Sequence, residues 1–153
     1  MCGFAGFVGY GQLPSDVVRD VASRMGEAIR HRGPDDSGIW TDEAAQVALV
    51  HRRLSILDLS PAGHQPMVST SGLYVLMFNG EIYNHLELRA PLEKITACGN
   101  GGMPWRGHSD TETLLSGIEA WGLDETLRRS IGMFAIALWD RQDRTLCLAR
   151  DRM

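Results

Sequence analysis

No basic residue precedes Arg19, so the chain opens without the positively charged region of a secretory signal. No apolar run approaches the ~20 residues that span a bilayer, and no membrane partner is expected. The arginines are scattered rather than gathered into a basic stripe. With a net charge of −4 and a pI near 5.7, a nucleic-acid partner is not expected either. Cysteine is scarce: Cys2, Cys98 and Cys147 are an odd number without metal-type spacing, which suits a reducing cytoplasm better than a disulfide framework. His31, His51, His64, His85 and His108 do not complete a metal-ligand pattern with them. Gly99-Asn100-Gly101-Gly102 lacks the Gly-Lys-Ser/Thr ending of a phosphate loop, and there is no internal repeat. What is present is 153 residues, 44% apolar and 22% charged, enough for one domain with a real core.

Residues 3–10 are small and apolar and suit a tightly packed strand. Pro14-Ser15 opens a helix with Val18, Val21, Ala22, Met25 and Ile29 on one face, ending near His31 before Gly33-Pro34. Val47–Val50 and Leu54–Leu57 read as short strands. Leu73–Phe78 reads as a stronger one, stopped by Asn79-Gly80. A second helix is expected to start near Asn84 and weaken at Pro91, with residues 97–107 as a loop. Ser109-Asp110-Thr111-Glu112 fits a capping box, followed by Leu114, Leu115, Ile118 and Trp121 on one face and Gly122 as the stop. Met133–Trp139 and Thr145–Ala149 read as strands joined by the polar turn at 140–143. Strands with helical insertions predict a layered α+β architecture. The last residues, Arg150-Asp151-Arg152-Met153, bring no polar tail, so a fragment of a longer product is expected.

Cys2 carries the first chemical signal. Removal of Met1 would place its thiol and a free α-amine on one carbon. Such an amine, with a pKa of roughly 7.7–8.0, can activate a nucleophile for acyl transfer. The plain alternative is a small residue entering a buried strand. If Cys2 attacks a carboxamide, Asn79 and the Gly80 N–H can supply an oxyanion hole; the competing reading of Asn-Gly is a hairpin turn. A free amino-acid amide such as glutamine also needs a guanidinium for its α-carboxylate. The run His51-Arg52-Arg53-Leu54-Ser55-Ile56 offers one. Glu81 and Asp110 offer carboxylates for the α-ammonium, against the alternatives of a solvated charge and a helix cap. Arg30-His31-Arg32-Gly33-Pro34-Asp35-Asp36 has the chemistry to bind an anion, against the plainer reading of a structural turn with internal ion pairs.

Met-Cys-Gly, Arg-His-Arg-Gly-Pro-Asp, His-Arg-Arg-Leu-Ser-Ile-Leu-Asp, Phe-Asn-Gly-Glu-Ile-Tyr-Asn-His, Ser-Asp-Thr-Glu and Gly-Met-Phe-Ala-Ile-Ala-Leu-Trp-Asp follow one another in order. Together they resemble the N-terminal glutaminase domain of glutamine-dependent asparagine synthetases, the class II or N-terminal-nucleophile amidotransferases, over residues 1–153. The resemblance implies two stacked antiparallel sheets flanked by helices, here truncated at the C-terminal side. It implies Cys2 as the nucleophile on the glutamine side-chain amide after loss of Met1, its amine acting as base through a water. Asn79 and Gly80 become the oxyanion hole. Arg53, beside the Ile56 backbone, holds the α-carboxylate, and Glu81 and Asp110 the α-ammonium. No cofactor is implied for this domain; ATP and Mg²⁺ belong to a C-terminal synthetase domain, which is the expected partner together with L-glutamine, and a second copy of the chain is a further candidate partner. A non-catalytic glutamine-binding or assembly module, and the same glutaminase serving another acceptor such as a sugar acid, remain as alternatives.

Overall fold

The computed structural model describes residues 2–9, 11–54, 61–98 and 105–152. Strand β1 (Gly3–Val8) is followed by α1 (Ser15–Ala28), a 3₁₀ turn at Arg30–Arg32, β2 (Asp36–Asp42) and β3 (Val47–Arg53). After a second 3₁₀ turn at Pro61–Gly63 come β4 (Met67–Val68), β5 (Tyr74–Ile82), α2 (His85–Cys98), α3 (Asp110–Trp121), α4 (Leu123–Arg129), β6 (Gly132–Asp140) and β7 (Thr145–Arg150). One sheet has the order β1-β3-β2 and the other β4-β5-β6-β7, and every pairing is antiparallel.

Alternation along the strands sets the layers. Successive side chains leave a strand on opposite faces. In β3, Ala48 packs outward on Val18 and Ala22 of α1, while Val47 and Leu49 turn inward to meet Val75, Met77, Ala137 and Trp139 of the second sheet. The second sheet repeats the pattern. Leu76, Phe78, Ile136 and Leu138 face outward onto Leu88 of α2 and Leu114, Leu115 and Ile118 of α3. The result is helix, sheet, sheet, helix, the expected α+β sandwich. Among the described residues no helix is long and apolar enough to cross a membrane.

Several expectations need correction. β5 does not stop at Asn79-Gly80 but pairs with β6 through Ile82, so Asn79-Gly80 is not a hairpin turn. The strand continues because Gly80 sits opposite Phe134, with its α-carbon so close that a Cβ would lie 2.1 Å from the Met133 carbonyl oxygen. Helix α2 runs through Pro91 to Cys98, held on the core side by buried Leu88 and Leu92, and so takes residues 97 and 98 from the expected loop. β3 ends at Arg53 and Leu54 is not in a strand, while the rest of the Leu54–Leu57 expectation lies outside the described residues. β2, β4 and α4 were not anticipated.

Candidate active site

The inward parity that builds the inter-sheet core also builds a site at its open end. Cys2 shares the face of Phe4, Arg53 the face of Leu49, and Asn79 and Glu81 the face of Val75 and Met77. β1 and β3 are in register at Gly3 and Arg52, which brings Cys2 level with Arg53. These residues line one cavity of about 390 Å³, together with Leu54, Gly63, Gln65, Gly80, Asp110 and, from the far side, Met133, Phe134, Ala135 and Asp151. Ile56 and Met1 lie outside the described residues.

The Cys2 thiol is half-buried and gripped by one residue's main chain: the Leu54 N–H donates to Sγ at 3.3 Å, and Sγ donates to the Leu54 carbonyl at 3.6 Å. Arg53 is 8% exposed, and its guanidinium packs closely against Gly63. A Cβ there would stand 2.1 Å from Nη2 and 2.6 Å from Cζ. Beside it, at the register position opposite Arg53, Asp36 accepts a 2.8 Å bond from the His64 ring. Burial opposes the Asp36 charge, but the His64 bond, the Ser37 N–H and the nearby Arg53 cation together hold its carboxyl below the ordinary value.

Gly80 owes its availability to an unfinished sheet edge. β4 covers β5 only at Val75 and Leu76, and beyond that point no strand among the described residues pairs with the outer edge of β5. Backbone groups of alternate residues face this edge. At Phe78, the N–H donates to Gln65 Oε1 at 2.7 Å and the carbonyl oxygen lies 3.1 Å from His51 Nε2. At Ile82, the N–H donates to Asp110 Oδ2 at 3.0 Å. Between them stands Gly80. Its partner Phe134 spends its own N–H and carbonyl on Asp151, so the Gly80 N–H is turned away from β6 and toward the cavity.

Asp110 begins α3 and is buried. Its Oδ1 accepts the Thr111 N–H at 2.8 Å while Oδ2 takes Ile82. Burial pushes its carboxyl above the ordinary value against those two bonds, and nearby Glu81 pushes the same way. Glu81 itself is exposed at the rim. Ser109 caps α3 as expected, its Oγ accepting from the Glu112 N–H at 3.2 Å. The reciprocal half of the capping box is diverted: the Glu112 carboxylate accepts the N–H groups of Arg106 and Gly107 at 2.7 and 2.9 Å. From α2, the buried Arg89 donates to the Gly107 carbonyl at 2.9 Å and stacks 3.7 Å over Trp105. The 105–109 segment that delivers Asp110 is therefore anchored on both sides.

The structure brings Cys2, Arg53, Asn79, Gly80, Glu81 and Asp110 around one cavity. Reading the sequence did not single out Gly63, Gln65, Asp151 or the Leu54 main chain. The turn signal in Gly63-His64-Gln65-Pro66 was visible, but nothing local tied it to Arg53 or to β5. His51, which completes no metal-ligand pattern, is a fully buried imidazole in the inter-sheet layer. Burial depresses its pKa to about 4, against the favourable Phe78 carbonyl. It is therefore neutral near pH 7 and donates to that carbonyl from Nε2.

A family model described as a glutamine amidotransferase domain matches residues 1–153. A putative glutamine-hydrolysing asparagine synthetase of Mycobacterium bovis is 41% identical over 99% of this chain, which spans 24% of that relative. Glutamine-hydrolysing asparagine synthetase 1 of Bacillus subtilis is 38% identical over 99% of this chain and 22% of its own length. The chain thus spans about a quarter of the length of these curated relatives. In fold it resembles the solved glutamine phosphoribosylpyrophosphate amidotransferase of Bacillus subtilis, with a TM-score of 0.69, 20% identity, and coverage of 99% of this chain and 37% of the other. The ordered motifs, the sandwich and the match along its whole length agree: the chain belongs to the glutamine amidotransferase domain family.

Proposed function

We propose that the chain hydrolyses the side-chain amide of L-glutamine through a thioester on Cys2. The observation that carries this reading is the meeting of Cys2, Arg53, Asn79, Gly80, Glu81 and Asp110 at one 390 Å³ cavity. With Met1 removed, the α-amine of Cys2 takes the thiol proton, through a water, and the sulfur attacks the amide carbon. Negative charge moves to the amide oxygen, where the Asn79 side-chain N–H and the Gly80 N–H receive it. The C–N bond breaks as the ammonium returns the proton to the leaving nitrogen, and ammonia departs. Water then attacks the thioester, the C–S bond breaks, and glutamate and the free thiol are restored. Arg53 holds the α-carboxylate with two parallel N–H bonds, and Asp110 and Glu81 hold the α-ammonium.

The longer relatives are named asparagine synthetases, and we assign the ammonia to an ATP- and Mg²⁺-dependent amidation in a C-terminal synthetase domain, with the whole working in the cytoplasm. Hydrolysis itself needs neither ATP nor Mg²⁺ in this domain. The test is glutamine-dependent ammonia release by the processed chain. Cys2→Ala should abolish it, and Asn79→Ala should lower kcat by about 10²–10³, the usual cost of one oxyanion donor. Hydrolysis that survives Cys2→Ala refutes the thioester. A processed chain that neither binds glutamine nor reacts at Cys2 with an electrophilic glutamine mimic indicates a non-catalytic assembly module instead.

A further inference from the structure

We propose that Gln65 and His51 are positioning residues that set the oxyanion hole by clamping the backbone of Phe78, the residue before Asn79. The inference rests on the reading of Asn79 and Gly80 given above. An isolated strand edge is free to twist and shift, and beyond Leu76 no strand among the described residues pairs with β5 on its outer side. Among the described residues, that edge is tied down between β4 and the cavity at Phe78, and both ties are buried side chains. Gln65 is 5% exposed and His51 is fully buried. The two ties come from different layers. Gln65 arrives on the segment after the Pro61–Gly63 turn, and its Oε1 receives the Phe78 N–H at 2.7 Å. His51 projects from β3 in the opposite sheet to the Phe78 carbonyl at 3.1 Å.

The clamp therefore ties the donor strand to the sheet that carries Cys2. β3 holds His51, and through Leu54 it also holds the Cys2 sulfur. Nucleophile and oxyanion donors are referenced to one strand. The link between them runs through the His51–Phe78 bond and the Leu54–Cys2 bond as well as through inter-sheet packing, while Gln65 holds the other side of Phe78. Neither clamp residue touches the reacting atoms in this scheme; each acts by fixing where the Gly80 N–H and the Asn79 amide stand. A displacement of about 1 Å in such a site can cost on the order of 10²-fold in rate, and the analogous residues that orient metal ligands from behind matter about 10- to 100-fold.

The experiment compares Gln65→Met, His51→Leu and His51→Gln in the processed chain. Gln65→Met keeps the length and apolar stem without the acceptor. His51→Gln keeps a donor at the Nε2 position, and His51→Leu removes it. We expect kcat for glutamine hydrolysis to fall about tenfold or more in Gln65→Met and His51→Leu, with KM within about twofold of the parent. His51→Gln should recover most of the loss. Alkylation of Cys2 by iodoacetamide, a displacement that makes no oxyanion, should proceed at the parent rate in all three. A fall in KM affinity and alkylation alongside kcat would show general damage and overturn the assignment. So would an unchanged kcat, or a His51→Gln as slow as His51→Leu. Should Gln65→Met not fold, the two His51 variants decide the question. Cys2→Ala run in parallel separates the failures: activity surviving it refutes the thioester, whereas Cys2-dependent activity indifferent to the clamp variants refutes only the clamp.

Discussion

Gly63→Ala tests the Arg53 assignment without touching any reacting group. The added Cβ would lie 2.1, 2.6 and 3.1 Å from Nη2, Cζ and Nη1 of Arg53. Comfortable contact is about 3.5 Å, so the guanidinium must retreat by roughly 1.4 Å. A shift of that size takes an N–H···O bond out of its working range of about 2.7–3.2 Å. Hydrogen bonds to charged groups contribute about 1.5–3 kcal/mol, and loss of about 2 kcal/mol corresponds to roughly 30-fold in affinity. The cost to the fold should be small, because the atoms that yield are the far end of a long side chain. We therefore expect KM for glutamine to rise about 30-fold, with kcat within about twofold and the urea midpoint little changed. Steady-state ammonia release by the processed chain measures this. A primary amide lacking the α-carboxylate should show the same KM in both proteins. An unchanged KM for glutamine, or an equal loss for the truncated amide, would show that Arg53 does not hold the α-carboxylate.

Gly80→Ala should act on the fold as well as on catalysis. Its Cβ would meet the main chain of Met133 and Phe134 at 2.1 and 2.6 Å, atoms that cannot swing aside, so β5 and β6 must part. A urea midpoint lowered by the equivalent of about 3 kcal/mol or more is expected, and a midpoint near the parent would refute the close approach. His51 makes stability fall in acid. Its folded pKa of about 4 lies below the ordinary imidazole value of about 6.5, so the unfolded chain binds the extra proton first. The contribution is intact above about 6.5 and is lost as pH falls toward 4, by about 3 kcal/mol in all. Urea midpoints across that interval should fall for the parent and flatten in His51→Gln. For Asp110 the sign is opposite. Burial raises its folded pKa, so the native chain holds the proton more tightly, and its ionisation lowers stability as pH rises through the raised value. KM for glutamine should meanwhile increase as pH falls through that value, because the ammonium loses its partner. Asp110→Asn should remove both dependences; a KM still tracking pH as in the parent would place the ammonium elsewhere.

The residues around the cavity were legible because they sit in short motifs whose types suit amide hydrolysis, and a shared inward parity was enough to gather them. Asn79-Gly80 shows where local signals mislead. As a dipeptide it favours a turn, yet β6 supplies a nine-residue partner and the close approach at Phe134 selects glycine for space. The reciprocal capping contact at Glu112 went to the main chain of Arg106 and Gly107, a tertiary competitor that no i,i+3 pattern contains. β2 was hidden in a polar stretch because its inward set includes Asp36 and Gly38, which serve the site and its edge rather than the apolar core. Gln65 and His51 could not be paired with Phe78 on paper. They are separated from it by 13 and 27 residues, and hydrophobic periodicity carries no information about side chains that cap a bare strand edge.

The donor proposed at Gly80 is a main-chain group, and this changes what evolution can and cannot do to it. Among the coded residues only proline would delete the N–H, whereas any change at Asn79 alters the side-chain donor at once. Half of the proposed hole thus has no side chain to lose, although any Cβ at Gly80 would collide with β6, and it is exposed to a further fault. A slip of β5 by one residue against β6 would turn the Gly80 N–H into the ladder and send Asn79 to the helix side. The apolar stripes on both faces of β5 would be exchanged in the same slip, so the packing that forbids it is also what keeps the chemistry in phase. Under the proposed mechanism catalytic competence is a matter of strand register, inherited from the two cores that lock it.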